Sequence, residues 1–191
     1  MMIIEGAITL KSRPSPNCKG LGSVLVKDDE FTDFIICAGK KEFKVHKAVL
    51  ASSSPVFSAM FKQNCKEAKE NKVVITDFDA DIVAFGIKFI YEQGFPFNSN
   101  YEKIMKLWDF ADKYAIFEKE WIDDWLFYNI NKNTVCLMSN FAKKREIKAV
   151  YVKCVKFFVK NAKQVCTFDN YKHLDAEIIK DIFEEFVQIE K

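Results

Sequence analysis

Residues 31–61 read FTDFIICAGKKEFKVHKAVLASSSPVFSAMF, and this stretch decides the fold. An apolar run at 34–37 precedes a turn at 38–41, in which Gly39 is free to take a positive φ. Phe43 and Val45 then alternate with charged residues. The pattern predicts a β-hairpin whose second strand is half-buried.

The spacing of the apolar residues changes after His46. Val49, Leu50 and Ser53 fall on one face of a helical turn. Pro55 suits the first position of a second helix, and the serines before it offer capping hydroxyls. The hairpin is therefore expected to lead directly into two short helices.

Several further motifs follow these elements in a fixed order. The series consists of Asp33 after Phe31-Thr32, HKAVLA at 46–51, SPVF at 54–57, VVITD at 73–77, FGIKFIY at 85–91 and ADKY at 111–114. This order resembles the BTB/POZ domain family, and the nearest likeness is to its speckle-type POZ and nematode BATH-like members. An ordered series of motifs is more specific than one short motif. The resemblance implies an α+β fold, with a small mixed sheet flanked by a cluster of helices.

Apolar residues at helical spacing continue towards the C-terminus. They predict helices over 79–94, from 101 to 115, from 121 to 130, and over 134–142, 147–160 and 175–186. We divide the chain into an N-terminal strand or linker (1–20), a BTB/POZ domain (21–120) and a helical extension (121–191). In its helix spacing the extension resembles the BACK region, or the shorter 3-box, of cullin adaptors.

The composition is that of a soluble globular protein with a core of its own. Hydrophobic residues make up 49% and charged residues 29% of the 191 residues. The net charge of +2 does not favour nucleic acid as a partner. No apolar run approaches the roughly 20 residues of a membrane span, and the first residues do not read as a signal peptide. We therefore expect a cytoplasmic and/or nuclear protein with reduced cysteines.

Signatures of chemistry are missing from the sequence. Six cysteines are scattered without a CxxC pair, and only His46 and His173 could complete a metal site. Neither a phosphate-binding loop nor a nucleophile motif occurs. We predict a protein that is not an enzyme and has no catalytic residue, cofactor or metal. An enzyme with a cysteine nucleophile is the alternative, and one thiol would then react far faster than the others.

A dimer interface is implied by the resemblance. In the BTB family, the helix before the hairpin packs against its copy in a second subunit. Leu21, Val24 and Leu25 lie at helical spacing in that position. The alternative is that they pack on the core of their own chain.

Asp33, His46 and Lys47 form a predicted structural pocket. Asp33 and Lys47 match a charged pair near the dimer pocket of BTB transcription factors. We expect Asp33 to bond backbone amides or Lys47 and to fix the hairpin against the helix. His46 is expected to be a packed core histidine.

Cys65-Lys66-Glu67 stands where cullin-binding BTB proteins carry a hydrophobic residue, any residue and a glutamate. The resemblance implies that Cys65 fills an apolar groove on the cullin, that Glu67 pairs at its edge, and that Phe57 supplies a second contact. The alternative is a solvated, charged loop over 62–72.

The function implied by the resemblance is a dimeric substrate adaptor of a cullin-3-type RING ubiquitin ligase. Its partners would be a second copy or another BTB protein, the cullin scaffold and a client protein. A MATH or kelch domain has no room in 191 residues, so a client would bind the helical tail, the BTB face or a dimer partner. The alternative is a homotypic or heterotypic BTB scaffold, or modulator, without ligase activity.

Overall fold

The computed structural model describes residue 25 and residues 30–92 and 100–189. Three strands form one mixed sheet in the order β2-β1-β3. Strand β1 (Phe34–Ala38) pairs antiparallel with β2 (Lys41–Val45) and parallel with β3 (Lys72–Ile75). The α+β fold class and the predicted hairpin are therefore confirmed.

The register of the hairpin places alternate side chains on the core face. Phe34 lies opposite Val45 and Ile36 opposite Phe43, and Phe34, Ile36 and Val45 are buried. Gly39 has a φ of +56° and lies in the two-residue connection between the strands. The turn is thus shorter than the predicted 38–41, because residues 38 and 41 pair with each other.

Helices account for most of the remaining described chain. They are α1 (Lys47–Ser53), α2 (Pro55–Met60), α3 (Lys66–Glu70), α4 (Ala80–Glu92), α5 (Tyr101–Lys113), α6 (Lys119–Tyr128), α7 (Val135–Lys144), α8 (Lys148–Lys160) and α9 (Ala176–Ile189). Two 3₁₀ turns, Ala162–Thr167 and Tyr171–His173, connect α8 to α9. The helical C-terminal extension is confirmed, whereas α3 and the two 3₁₀ turns were not predicted.

The junction between α1 and α2 forms as the sequence predicts. Ser54 is the N-cap of α2, and its hydroxyl accepts a hydrogen bond from the backbone N–H of Phe57 at 3.0 Å. Pro55 occupies the first helical position, where the missing N–H is not needed. The chain therefore ends one helix and starts the next without an intervening loop.

Helices α4 and α5 approach each other closely at Gly86. A Cβ atom built on Gly86 would lie 2.3 Å from Cε1 of Phe110, which is far inside van der Waals contact. The phenylalanine ring thus fills the space that a side chain at residue 86 would need.

One core runs through the sheet and the helical tail. Buried residues from β1, α4, α5, α7 and α8 belong to a single hydrophobic cluster. The boundaries predicted at residues 20 and 120 stay predictions. Among the described residues, none of the helices has the length and apolar character needed to cross a membrane.

Candidate protein-binding surface

Phe57 is predicted from the sequence to contact the cullin, but it lies in the core. Its side chain is 0% exposed, and its ring stacks on Tyr114 with centroids 4.7 Å apart and an interplanar angle of 2°. The prediction that Phe57 contacts the cullin is therefore wrong. The apolar side of α2 faces the core, so the ring supports the surface from inside.

The turn after α5 is tied to the junction of α1 and α2. The Ser54 hydroxyl donates to the carbonyl oxygen of Tyr114 at 2.5 Å, and the backbone N–H of Phe117 donates to the carbonyl of Ser53 at 3.0 Å. These bonds fix Phe117 next to the start of α2. Its side chain is 62% exposed.

Phe117 was missed by the sequence analysis. It belongs neither to the apolar stripe predicted for α5 nor to the stripe that begins at Trp121 in α6. An aromatic residue in the short connection between two such stripes was the available signal. Trp121, one turn into α6, is also partly exposed.

Cys65 and Glu67 lie at the other end of α2. Cys65 is half-buried at the N-cap position of α3, and its thiol donates to the carbonyl oxygen of Ala59 at 3.3 Å. Glu67 is partly exposed in the first turn of α3, where the helix dipole favours a carboxylate. It makes no ion pair with any residue that the structure describes.

Helix α2 therefore separates the exposed Phe117 from the partly exposed Cys65 and Glu67. Its six residues span about 9 Å at 1.5 Å per residue. Phe117 lies at its N-terminal end, and Cys65 and Glu67 lie at its C-terminal end. We call Phe117, Ala59, Cys65 and Glu67 the α2 surface.

Asp33 and Lys47 are brought together by a bond from the backbone. The carboxylate of Asp33 accepts a hydrogen bond at 2.8 Å from the N–H of Lys47, the first residue of α1. The Lys47 ammonium donates to the side chain of Asn71 and lies 5.7 Å from the Phe34 ring centroid. The pair thus connects the hairpin, α1 and the residue before β3.

His46 is buried at the N-terminus of α1. Its backbone N–H donates to the hydroxyl oxygen of Tyr91 at 2.7 Å, and its Nδ1 lies 2.9 Å from the same oxygen. Burial raises the pKa of Tyr91. Within 30–92 and 100–189, no cluster of three or more His, Cys, Asp or Glu side chains is arranged to hold a metal.

A groove between α5 and the end of α7 contains charged residues that already pair with each other. The Arg145 guanidinium lies 2.7 Å from a carboxylate oxygen of Asp109, and Lys113 pairs with Asp77. These charged side chains are already paired within the chain, so we do not select the groove as the candidate site.

Two of the cysteines lie deep in the tail. Burial raises the pKa of the Cys136 thiol to about 11 and that of the Cys154 thiol to about 12. Both thiols are therefore protonated at neutral pH, which removes the nucleophilic form.

The predicted dimer contacts are only partly within the described chain. Leu21 and Val24 lie outside the described residues. Leu25 occupies a helical position, is half-buried and packs against the core of its own chain. This packing accords with the intramolecular alternative for Leu25, and the dimer interface stays a prediction.

Comparison with known proteins places these features in a family. The model of the BTB/POZ domain family matches residues 23–119, about half of the chain. Among solved structures, the BTB domain of zebrafish PATZ1 is similar, with 19% sequence identity and a TM-score of 0.44. The match covers 58% of this chain and 93% of that chain.

Proposed function

We propose that this chain, which belongs to the BTB/POZ domain family, is a dimeric adaptor that presents a client protein to a cullin-3-type RING ubiquitin ligase. BTB domains are protein interaction modules, so the general role of the chain is to bind other proteins. The ligase role is our finer proposal. The observation that supports it is the α2 surface, which offers an exposed aromatic ring and a carboxylate at opposite ends of one short helix.

Phe117 takes over the apolar contact first assigned to Phe57. Burying a phenylalanine side chain at an interface contributes about 1.5–3 kcal/mol, whereas the half-buried Cys65 would add on the order of 1 kcal/mol or less. We therefore expect Phe117 to dominate the affinity and Cys65 to add a smaller contact at the other end of α2.

Glu67 would set the orientation of the partner. Its carboxylate makes no ion pair with a described residue, so it is available to a basic side chain or to backbone N–H groups of the cullin. Charge at the rim of an interface contributes more to orientation and association rate than to affinity.

The second subunit would bind through Leu21, Val24 and Leu25. A dimer holds two clients and two ligase arms in one particle, which raises their effective concentration without any chemical step by the adaptor.

The test is calorimetric titration of the N-terminal cullin region into the purified chain, with the oligomeric state measured by light scattering. Phe117→Ser is expected to weaken binding by roughly tenfold to a hundredfold, because it removes the buried ring. Glu67→Lys is expected to weaken it as well. Val74→Ser removes an exposed apolar side chain from β3 and serves as the control.

Loss of affinity in the first two variants and not in the third would support the ligase adaptor. A stable dimer that does not bind the cullin would reject it. The scaffold that modulates other BTB proteins without ligase activity would then take its place.

A further inference from the structure

Helix α9 packs against the tail with only one of its sides. Ile178 is fully buried and Ile182 is half-buried. Asp181, on the same side, accepts a hydrogen bond from the Tyr151 hydroxyl of α8 and pairs with Lys143 of α7. These contacts fix the rotation of α9 about its own axis.

This rotation leaves a row of apolar side chains in solvent. Ile179, Phe183 and Val187 are 54%, 67% and 39% exposed. They are spaced by four residues, so they form one continuous ridge along the helix surface. We call these three residues the α9 stripe.

We propose that the α9 stripe binds the α9 stripe of a second copy of this chain, in an antiparallel pair centred on Phe183. The stripe is symmetric about Phe183, with an aliphatic residue four positions before it and another four positions after it. A two-fold axis at Phe183 places the two phenylalanine rings together and sets each Ile179 against Val187 of the other copy. Ridges spaced by four residues interlock at a crossing angle of about −50°.

The charges beside the stripe fit the same arrangement. Lys180 and Glu184 flank the stripe on the side away from Ile178 and form an ion pair within α9 at 3.6 Å. In the antiparallel pair, Lys180 lies three residues before the two-fold axis at Phe183. Glu184 of the second copy, whose helix runs the other way, lies one residue from the axis in the same direction. Their axial offset is about 3 Å at 1.5 Å per residue, so the two side chains can pair between copies.

In a parallel pair the two-fold axis runs along the helices. It would place Lys180 and Glu184 of the two copies on opposite edges of the contact, where they cannot pair between copies. An unrelated partner would require neither the symmetric spacing of the apolar residues nor a lysine and a glutamate in complementary positions. Self-association accounts for both.

The α9 stripe uses none of Leu21, Val24 and Leu25, which are the residues of the proposed BTB dimer interface. If both surfaces operate, each chain carries two self-complementary contacts. Association then continues beyond the dimer, and each contact strengthens the other through effective concentration.

The first test is sedimentation velocity of the full chain over a range of concentrations. The mass of the wild type is expected to rise with concentration. Phe183→Glu would raise the dissociation constant of this contact by more than about tenfold, since two carboxylates would meet at the axis of an apolar contact. The control is Val74→Glu, which adds the same charge at an exposed valine of β3.

A dimer that forms through residues 21–25 would persist in Phe183→Glu, so the informative readout is the association lost relative to the wild type. A constant wild-type mass, or equal behaviour of wild type and Phe183→Glu, would overturn the proposal. Circular dichroism of each variant checks that α9 remains folded.

The second test exchanges the charges. Lys180→Glu and Glu184→Lys should each weaken self-association by roughly threefold to tenfold, because the symmetry applies every substitution twice. An equimolar mixture of the two variants should associate as tightly as the wild type. The two acidic side chains beside the stripe of one variant then face the two basic side chains of the other. If the substitutions acted only by weakening α9 within each chain, mixing the variants would not restore association. A mixture that associates no more tightly than either variant alone would therefore reject the antiparallel pairing.

Discussion

The hydroxyl oxygen of Tyr91 holds His46 at two points. It accepts a hydrogen bond from the backbone N–H of His46 at 2.7 Å and lies 2.9 Å from the imidazole Nδ1. His46 is the N-cap residue of α1, and Tyr91 belongs to the last turn of α4. One phenol thus fixes the exit of the hairpin to a helix 45 residues further along the chain.

Tyr91→Phe should lower the free energy of unfolding by about 1–3 kcal/mol. The ring still fills its place in the core, but a buried backbone N–H and an imidazole nitrogen lose their shared partner. Urea denaturation measures the change. Tyr128→Phe, at an exposed tyrosine of α6, is the control and should change stability by less than about 0.5 kcal/mol. Equal effects of the two variants would mean that the Tyr91 hydrogen bonds add no net stability.

Phe57 and Phe117 form a matched pair for separating stability from binding. Phe57→Ala should lower the free energy of unfolding by about 3–5 kcal/mol, because it leaves a cavity beneath Tyr114. Phe117→Ala should leave stability within about 0.5 kcal/mol, since its ring is mostly in water. Chemical denaturation of both variants gives the comparison. A small loss in Phe57→Ala would show that Phe57 is not the packed support we assign to it.

The difference between these two phenylalanines shows what local sequence patterns cannot predict. Local patterns predict the hairpin, the Ser54 cap and Pro55, because those depend on neighbouring residues. The burial of Phe57 depends on Tyr114, which is 57 positions away and stacks on it only in the folded chain. The exposed Phe117 is held by a hydrogen bond from its backbone N–H to the carbonyl of Ser53. The spacing of apolar side chains along the sequence does not predict such a backbone bond.

Helix α3 was missed for a related reason. Its five residues, KEAKE, contain no apolar period and read equally well as a charged loop. The helix is closed by Asn71 in the left-handed conformation, at a φ of 49°, whose N–H bonds the Glu67 carbonyl. Asparagine tolerates this conformation, but that preference alone does not identify a helix.

Gly86→Ala should destabilise the fold by about 1–3 kcal/mol, although alanine is the better helix former. The added Cβ would lie 2.3 Å from Cε1 of Phe110, so α4 and α5 would have to move apart. Thermal unfolding measures the effect. Combining Gly86→Ala with Phe110→Leu should cost less than the sum of the two single changes, because the smaller side chain makes room. An increase in stability in Gly86→Ala would mean that the gap adjusts without strain.

Glu118→Gln should stabilise the protein at pH 7 by about 1 kcal/mol. Oε2 of Glu118 is buried without a hydrogen-bond partner among the described residues, and burial raises the pKa of this carboxyl. The folded state therefore holds the proton more tightly than the unfolded state does. The ionised carboxylate weakens the fold at any pH above its folded pKa, and glutamine removes that charge.

The sign of the pH dependence follows from the same argument. As the pH falls through the raised folded pKa, the wild-type carboxyl takes up its proton and the penalty disappears. Below the ordinary value of 4.5, wild type and Glu118→Gln should therefore converge in stability. Urea unfolding of both chains between pH 7 and pH 4 measures this, with the exposed Glu120→Gln as the control. A gain in Glu118→Gln that persists unchanged at pH 4 would assign the effect to packing and not to the buried charge.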